Sequence, residues 1–401
     1  MNYFPVQMVK EIAIKCYLLC FKLVYNLFKI CPQKDKITFV VSFEENTSFL
    51  YHEIARRKLP FQVVILHKSA FSQEFQQELQ NTTVIPFETA NLFSWLRSIY
   101  HIATAKHLII DNYFAFLAAI QLRKNVECIQ IWHAAGALKT FGLEDHSIVY
   151  RSKAAKQRFR RVYAQFNRIV VGSEKMAGIF VESFAVPAEN MLRIGVPRTD
   201  FFFDKTKHET IKKEFAHNYP RLKGKRILLY APTFRDSQLA DFQISLDIDK
   251  LYQTLKDDYL LLIKLHPAVQ SSHNYQERYP DFVYDFSGFK RMNELLIIAD
   301  LLITDYSSIP FEFALLNKPM IFFPYDLEFY KRERGVIADY EAVVPGPIAF
   351  DTEGVIELIR TIDADDGQAR TAAFSQIWNE YSNGDAAKKL VDYIASASKK
   401  F

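Results

Sequence analysis

The sequence predicts an α/β protein made of two doubly wound units, and three observations support this. Short, continuous apolar runs alternate with helix-length spacers along most of the chain. Such runs suit parallel strands buried on both faces. The series stops at 195–200 (GVPRTD), a segment with a Gly and a Pro, and then begins again. At 401 residues the chain is long enough for two cores of ordinary domain size.

In chain order, residues 12–30 (IAIKCYLLCFKLVYNLFKI) come first and read as an amphipathic helix. Lys15, Lys22 and Lys29 recur every seven residues, so they fall within about 40° of one face. Three lysines at the depth of a membrane span are costly. No small-residue cleavage site follows, so the segment is not read as a secretory signal. A helix lying in a membrane interface fits, with its lysines toward the headgroups. The competing reading is a helix packed on the protein's own core. The first strand is expected at 37–43 (ITFVVSF), followed by a helix over 44–57. Further strands are expected at 61–66, 83–85, 108–111, 128–132 and 169–172. Beyond 195–200 the second set is 226–230 (RILLY), 260–265 (LLLIKL), 282–284, 301–304 (LLIT) and 320–323 (MIFF). The expected organisation is therefore a membrane-association helix over 1–34, a first α/β domain over 35–197 and a second over 198–375. A C-terminal helix over 376–401 is expected to pack back on the first domain.

Composition narrows the function. The net charge of +4 argues against a nucleic-acid binder. The four cysteines, Cys16, Cys20, Cys31 and Cys128, form no metal-type pair and suggest a reducing compartment. Aromatic residues make up 15% of the chain and are read mainly as core. No Walker loop, nucleophile elbow, HExxH or usefully placed DxD pair is present, so neither a metal nor another cofactor is expected.

Four polar clusters follow strand candidates, where such sheets place ligands. The first is Trp132-His133-Ala134-Ala135-Gly136, with Lys139 and Phe141-Gly142 close behind. His133 could serve as a general base or meet a phosphate, and the small residues could let backbone approach a ligand. The alternative is a histidine satisfied by nearby backbone. The second is Thr233-Phe234-Arg235-Asp236, where Arg235 could pair with a phosphate or merely with Asp236. The third is Lys264-Leu265-His266-Pro267. Period two puts Lys264 and His266 on one strand face, and Pro267 ends the strand. The fourth, Thr304-Asp305-Tyr306-Ser307-Ser308-Ile309-Pro310-Phe311-Glu312, runs from a strand into a helix. Serine hydroxyls and free N–H groups at a helix start can hold an anion, or simply cap the helix. Glu312 could accept ribose hydroxyls or serve the helix dipole. Residues 151–161 (RSKAAKQRFRR) carry six basic groups and no acid; Arg158, Arg160 and Arg161 are candidates for headgroup contact.

Taken together, WHAAGALKTFG, GVPRTD, YAPTFRD, KLHP and TDYSSIPFEFALLNKPMIFFPYD closely resemble the CDP-glycerol glycerophosphotransferase family of wall teichoic acid synthesis. The resemblance spans roughly residues 35–390. It implies a GT-B-type arrangement, with two Rossmann-like domains facing each other across a cleft. It further implies that His133 is the acceptor-side base, accompanied there by Trp132, Gly136 and Lys139. Arg235, Lys264, His266, Thr304, Asp305, Ser307, Ser308 and Glu312 would form the CDP-glycerol side, with His266 also a catalytic residue that serves the leaving group. The WHAAGA run is more similar to the primase branch than to the polymerases. That branch adds the first glycerol phosphate to an undecaprenyl-diphosphate-linked ManNAc–GlcNAc disaccharide, at the cytoplasmic face of the membrane. The competing expectations are a polyol-phosphate transferase or polymerase acting on a later intermediate, a GT-B nucleotide-sugar glycosyltransferase, and a membrane scaffold that keeps only the fold.

Overall fold

A computed structural model describes residues 3–79, 82–235, 242–266, 269, 274–336, 339–362 and 367–398. The chain divides into two compact units. The first comprises residues 1–134, 141–200 and 381–401, and the second 135–140 and 201–380.

In the first unit the strands are β1 (Lys36–Val41), β2 (Gln62–His67), β3 (Thr83–Pro86), β4 (His107–Ile110), β5 (Glu127–Gln130), β6 (Arg168–Val171) and β7 (Met191–Arg193). They lie in the order β3-β2-β1-β4-β5-β6-β7, all parallel. Every residue of β1 is buried, as a strand covered on both faces requires. Phe39 pairs with Ile65 on one side and Ile109 on the other, fixing the middle of the core. Leu390 and Ile394, from the last helix Ala386–Ser398, belong to the same core. Asp200 pins the start of that helix by accepting the N–H groups of Ala386 and Ala387, each at 2.9 Å.

The N-terminal helix Tyr3–Phe28 has two unlike faces. Phe21 and Tyr25 are fully buried, with the Phe21 ring 5.0 Å from Phe116 and 6.1 Å from Trp95. One face therefore does pack on the protein's own core. Val9, Ile12, Leu19, Leu23 and Leu27 remain exposed on the other. Among the described residues no helix is long and apolar enough to cross a membrane.

In the second unit β8 (Arg226–Ala231), β9 (Tyr259–Ile263), β10 (Val283–Asp285), β11 (Leu301–Thr304) and β12 (Met320–Phe322) lie in the order β10-β9-β8-β11-β12, again all parallel. Leu228, Leu261, Ile303 and Ile321 build its core with Phe282 and Val355. The segment 195–200, where the strand series stops, contains Gly195 at φ +88°, and a Cβ there would come 2.6 Å from the Tyr381 carbonyl oxygen. Glycine is therefore required there for conformation and for space.

Both sheets reverse direction between their first and fourth strands, at β1/β4 and at β8/β11. Ligands in open α/β sheets bind beyond the carboxyl ends of the strands at such reversals.

Candidate active site

At the first reversal the residues following β1, β4 and β5 come together around His133. Its Nδ1 lies 2.9 Å from the main-chain oxygen of Asp111, directly after β4. A carbonyl oxygen can only accept, so Nδ1 carries the hydrogen and Nε2 the lone pair. The imidazole is stacked between Phe43, 4.7 Å away, and Trp132, 4.3 Å away. Burial lowers the His133 pKa below the ordinary histidine value, against the pull of the bond to Asp111; the Arg198 charge lowers it further. A neutral ring with one committed nitrogen is what a general base needs.

Other residues hold this geometry in place. The Asp111 carboxylate accepts the N–H of Ser42, at 2.8 and 2.9 Å, and of Phe43, at 2.7 Å. Burial lifts its pKa to about 7, against the N–H donors of Phe43 and Ser42 that pull it down. Trp132 adopts φ +53°, an unusual conformation for a bulky residue. Asn46 secures that turn by donating to the Ile131 and Trp132 carbonyls, and it accepts the Arg198 N–H. The Arg198 guanidinium in turn donates to the His133 carbonyl at 2.9 Å.

At the second reversal the residues following β8 and β11 form a buried ionic cluster. Asp305 accepts the Thr233 N–H at 2.8 Å, the Thr233 hydroxyl at 2.6 Å and the Tyr306 N–H at 2.7 Å. Arg235 is 5% exposed. Its guanidinium grips both Asp326 oxygens, at 2.7 and 2.8 Å, and lies 3.1 Å from Asp305. Burial opposes its charge, but the Asp326 and Asp305 partners prevail and raise its pKa. Tyr306, Tyr325 and Tyr330 surround it at 4.8–5.2 Å. Tyr306 also donates to Asp326 at 3.0 Å and stacks on Tyr330 at 3.9 Å. This framework carries Ser307 and Ser308 at the mouth of the short helix Ile309–Phe313. The Ser307 hydroxyl accepts the Ile309 N–H at 3.2 Å, while Ser308 is exposed.

Several expectations change. Arg235 is ion-paired with two carboxylates distant in sequence, Asp305 and Asp326; Asp236 lies outside the described residues. β9 ends at Ile263, so Lys264 and His266 follow the strand instead of sharing its face. Pro267, expected to end that strand, also lies outside the described residues. Lys264 is buried and donates to the Ser287 carbonyl at 2.9 Å. His266 is exposed, its ring 4.6 Å from Phe234. Partial desolvation by its neighbours lowers its pKa first, then the charges of Lys264 and Lys139 do. The Thr304 hydroxyl donates to the Ala231 carbonyl across the sheet, and Glu312 is buried in the short helix. Gly136 and Lys139, expected with the acceptor-side residues, cluster with the second unit. A Cβ on Gly136 would meet the Phe311 ring at 2.3 Å, so its smallness serves packing. The Lys139 ammonium lies 5.3 Å from the Tyr330 ring centre. Arg158 is ion-paired with Glu11 at 3.1 Å, while Arg160 and Arg161 are exposed on the same helix, Lys153–Tyr163. Among the described residues no group of three or more His, Cys, Asp or Glu is arranged to hold a metal.

Solved structures share this architecture. Wall teichoic acid polymerase TagF superposes with a TM-score of 0.78 at 22% identity, covering 99% of this chain and 97% of that one. A UDP-GlcNAc 2-epimerase from Neisseria meningitidis gives 0.60 at 14% identity, covering 90% and 100%. The class is thus α/β of the GT-B type. The chain belongs to the CDP-Glycerol:Poly(glycerophosphate) glycerophosphotransferase family, whose model matches residues 23–396. It is 34% identical over 387 residues to a teichoic acid glycerol-phosphate primase of Bacillus subtilis (strain 168), covering 96% of this chain and 98% of the relative. The primase of Bacillus spizizenii is 37% identical over 382 residues, with 95% and 98% covered.

Proposed function

We propose that this enzyme transfers glycerol phosphate from CDP-glycerol to an undecaprenyl-diphosphate-linked ManNAc–GlcNAc disaccharide and releases CMP. The near-full-length kinship with glycerol-phosphate primases supports this substrate pair. The observation that carries the mechanism is the committed His133 tautomer. Nε2 takes the proton of the acceptor hydroxyl as its oxygen attacks the phosphorus bearing glycerol. A new O–P bond forms, the bond to the bridging diphosphate oxygen breaks, and CMP leaves with that bond's electrons.

Charge on the diphosphate is met by the Ser307 and Ser308 hydroxyls, His266 and Lys139. Arg235, Lys264, Thr304 and Asp305 act one layer behind as positioning residues. No bound metal is part of this proposal, and turnover that persists in EDTA is the expected result.

The site of action is the cytoplasmic leaflet, because the acceptor is lipid-linked. The outward apolar face of the N-terminal helix supports this, flanked by exposed Lys15 and Lys22. Lys29, half-buried, donates to the Gln121 carbonyl at 3.1 Å and contributes less.

The test is incubation with the lipid-linked disaccharide and, in parallel, CDP-glycerol, CDP-ribitol or a UDP-sugar, with product mass as the readout. A gain of one glycerol phosphate, from CDP-glycerol alone, is expected. A gain from a UDP-sugar would mean glycosyl transfer instead, and a long ladder of additions would mean a polymerase.

A further inference from the structure

Fifteen large hydrophobic side chains are exposed among the described residues, and their distribution is uneven. Six, Val9, Ile12, Leu19, Leu23, Leu27 and Ile30, belong to the N-terminal helix and the turn that ends it. Four more come in two adjacent pairs, Leu92-Phe93 and Val149-Tyr150, with Phe93 68% and Tyr150 89% exposed. Both pairs stand at entrances to helices joined to the N-terminal helix. Leu92 and Phe93 open the helix Leu92–Ala103, whose Trp95 packs on Tyr17 at 6.3 Å and on Phe21 at 6.1 Å. Val149 and Tyr150 precede the helix Lys153–Tyr163, which is held by the Arg158–Glu11 pair.

Resting on the membrane reading above, we infer that the bilayer contact has three parts, with Leu92-Phe93 and Val149-Tyr150 inserting beside the N-terminal helix. Clusters of exposed apolar side chains on one set of packed elements mark interaction surfaces, whereas scattered ones do not. Charge identifies the occupant as an anionic lipid surface. Exposed Arg97 stands one turn after Phe93, with its guanidinium 5.5 Å from that ring. Arg151, Lys153, Arg160 and Arg161 are exposed around Tyr150 and along the helix after it. Glu11, the single acid of the N-terminal helix, is already paired with Arg158. Apolar tips with adjacent cations, one of them a tyrosine, suit the boundary between headgroups and acyl chains.

The test uses the full chain and co-sedimentation with phosphatidylcholine vesicles, with and without phosphatidylglycerol. Three variants are compared: Leu92→Ser with Phe93→Ser, Val149→Ser with Tyr150→Ser, and Leu19→Gln with Leu23→Gln and Leu27→Gln. Each pair variant should lower partitioning by about tenfold, consistent with two apolar side chains leaving the interface. Turnover on a short-chain, water-soluble acceptor should stay at the wild-type level, which also reports an intact fold. Wild-type partitioning by both pair variants, with loss only in the helix variant, would overturn the three-part footprint and leave the membrane reading standing. Wild-type partitioning by all three would remove both. A change in oligomeric state by light scattering, without a change in partitioning, would make this face a protein interface and overturn the proposal.

Discussion

The two sheets repeat one strand order, yet their reversal points are finished with opposite chemistry. Around His133 the neighbours are two aromatic faces and a main-chain carbonyl, and burial favours the neutral imidazole. Around Arg235 they are two carboxylates, and the guanidinium is locked in its charged form. One site holds an imidazole kept neutral by burial, with Nδ1 committed to a carbonyl. The other pairs its buried charges with one another, and the Ser307 hydroxyl beside it accepts a helix N–H. One topology can therefore hold a neutral histidine in one unit and a buried ionic cluster in the other, because the topology fixes only where the strand ends lie.

The largest effect that sharpens this contrast is expected at His133. His133→Ala should cut turnover by about two to four decades. Normal turnover would place the base elsewhere.

Arg235→Ala probes the other site as a framework. It leaves Asp305 and Asp326 facing each other without a cation, so stability should fall by about 3–5 kcal/mol. Denaturant titration reads this directly, and a loss confined to donor affinity would make Arg235 a direct phosphate ligand after all.

Ser307→Ala with Ser308→Ala should weaken CDP-glycerol binding in calorimetry. Stability should drop by only about 1 kcal/mol, because Ser307 alone accepts a helix N–H. Unchanged donor affinity would remove the serines from the site.

The smallest effect concerns pH. The His133 pKa is lowered in the folded protein, so the base stays neutral until pH drops below the ordinary imidazole range. Activity should fall on that acid side only. By linkage, the contribution of His133 to stability is present above its unfolded value and is lost as pH falls through the folded one. Phe43→Ala opens one face of the ring to water and should move the acid limb of the rate profile upward. An unmoved limb would mean that a different group sets it.

Much of the fold was legible because buried parallel strands are nearly pure apolar runs. Strand 301–304 is found as expected, and most others lie within one or two residues. β7 was missed because Met-Leu-Arg is too short to form a pattern. The placement of the candidate residues was legible where it follows from the strands: His133 comes after β5 and Ser307-Ser308 after β11, as expected. It was not legible where partners come from far away. Asp326 lies 91 residues from Arg235, and Asn46 lies 86 residues from the Trp132 carbonyl it holds. The one available signal was positional. Ser42-Phe43 and Asp111 are the last residues of the strand candidates 37–43 and 108–111, and only the folded sheet joins them to one another and to His133. Arg198 lies inside GVPRTD, where the Gly and the Pro mark a break between the two strand series and nothing in the sequence links the arginine to His133.

Calorimetric titration of His133→Ala with CDP-glycerol tests most directly the claim that base and donor site are built separately. The account predicts wild-type donor affinity in a protein that has lost nearly all turnover. A donor affinity reduced as far as turnover would contradict it, by making His133 part of the donor site.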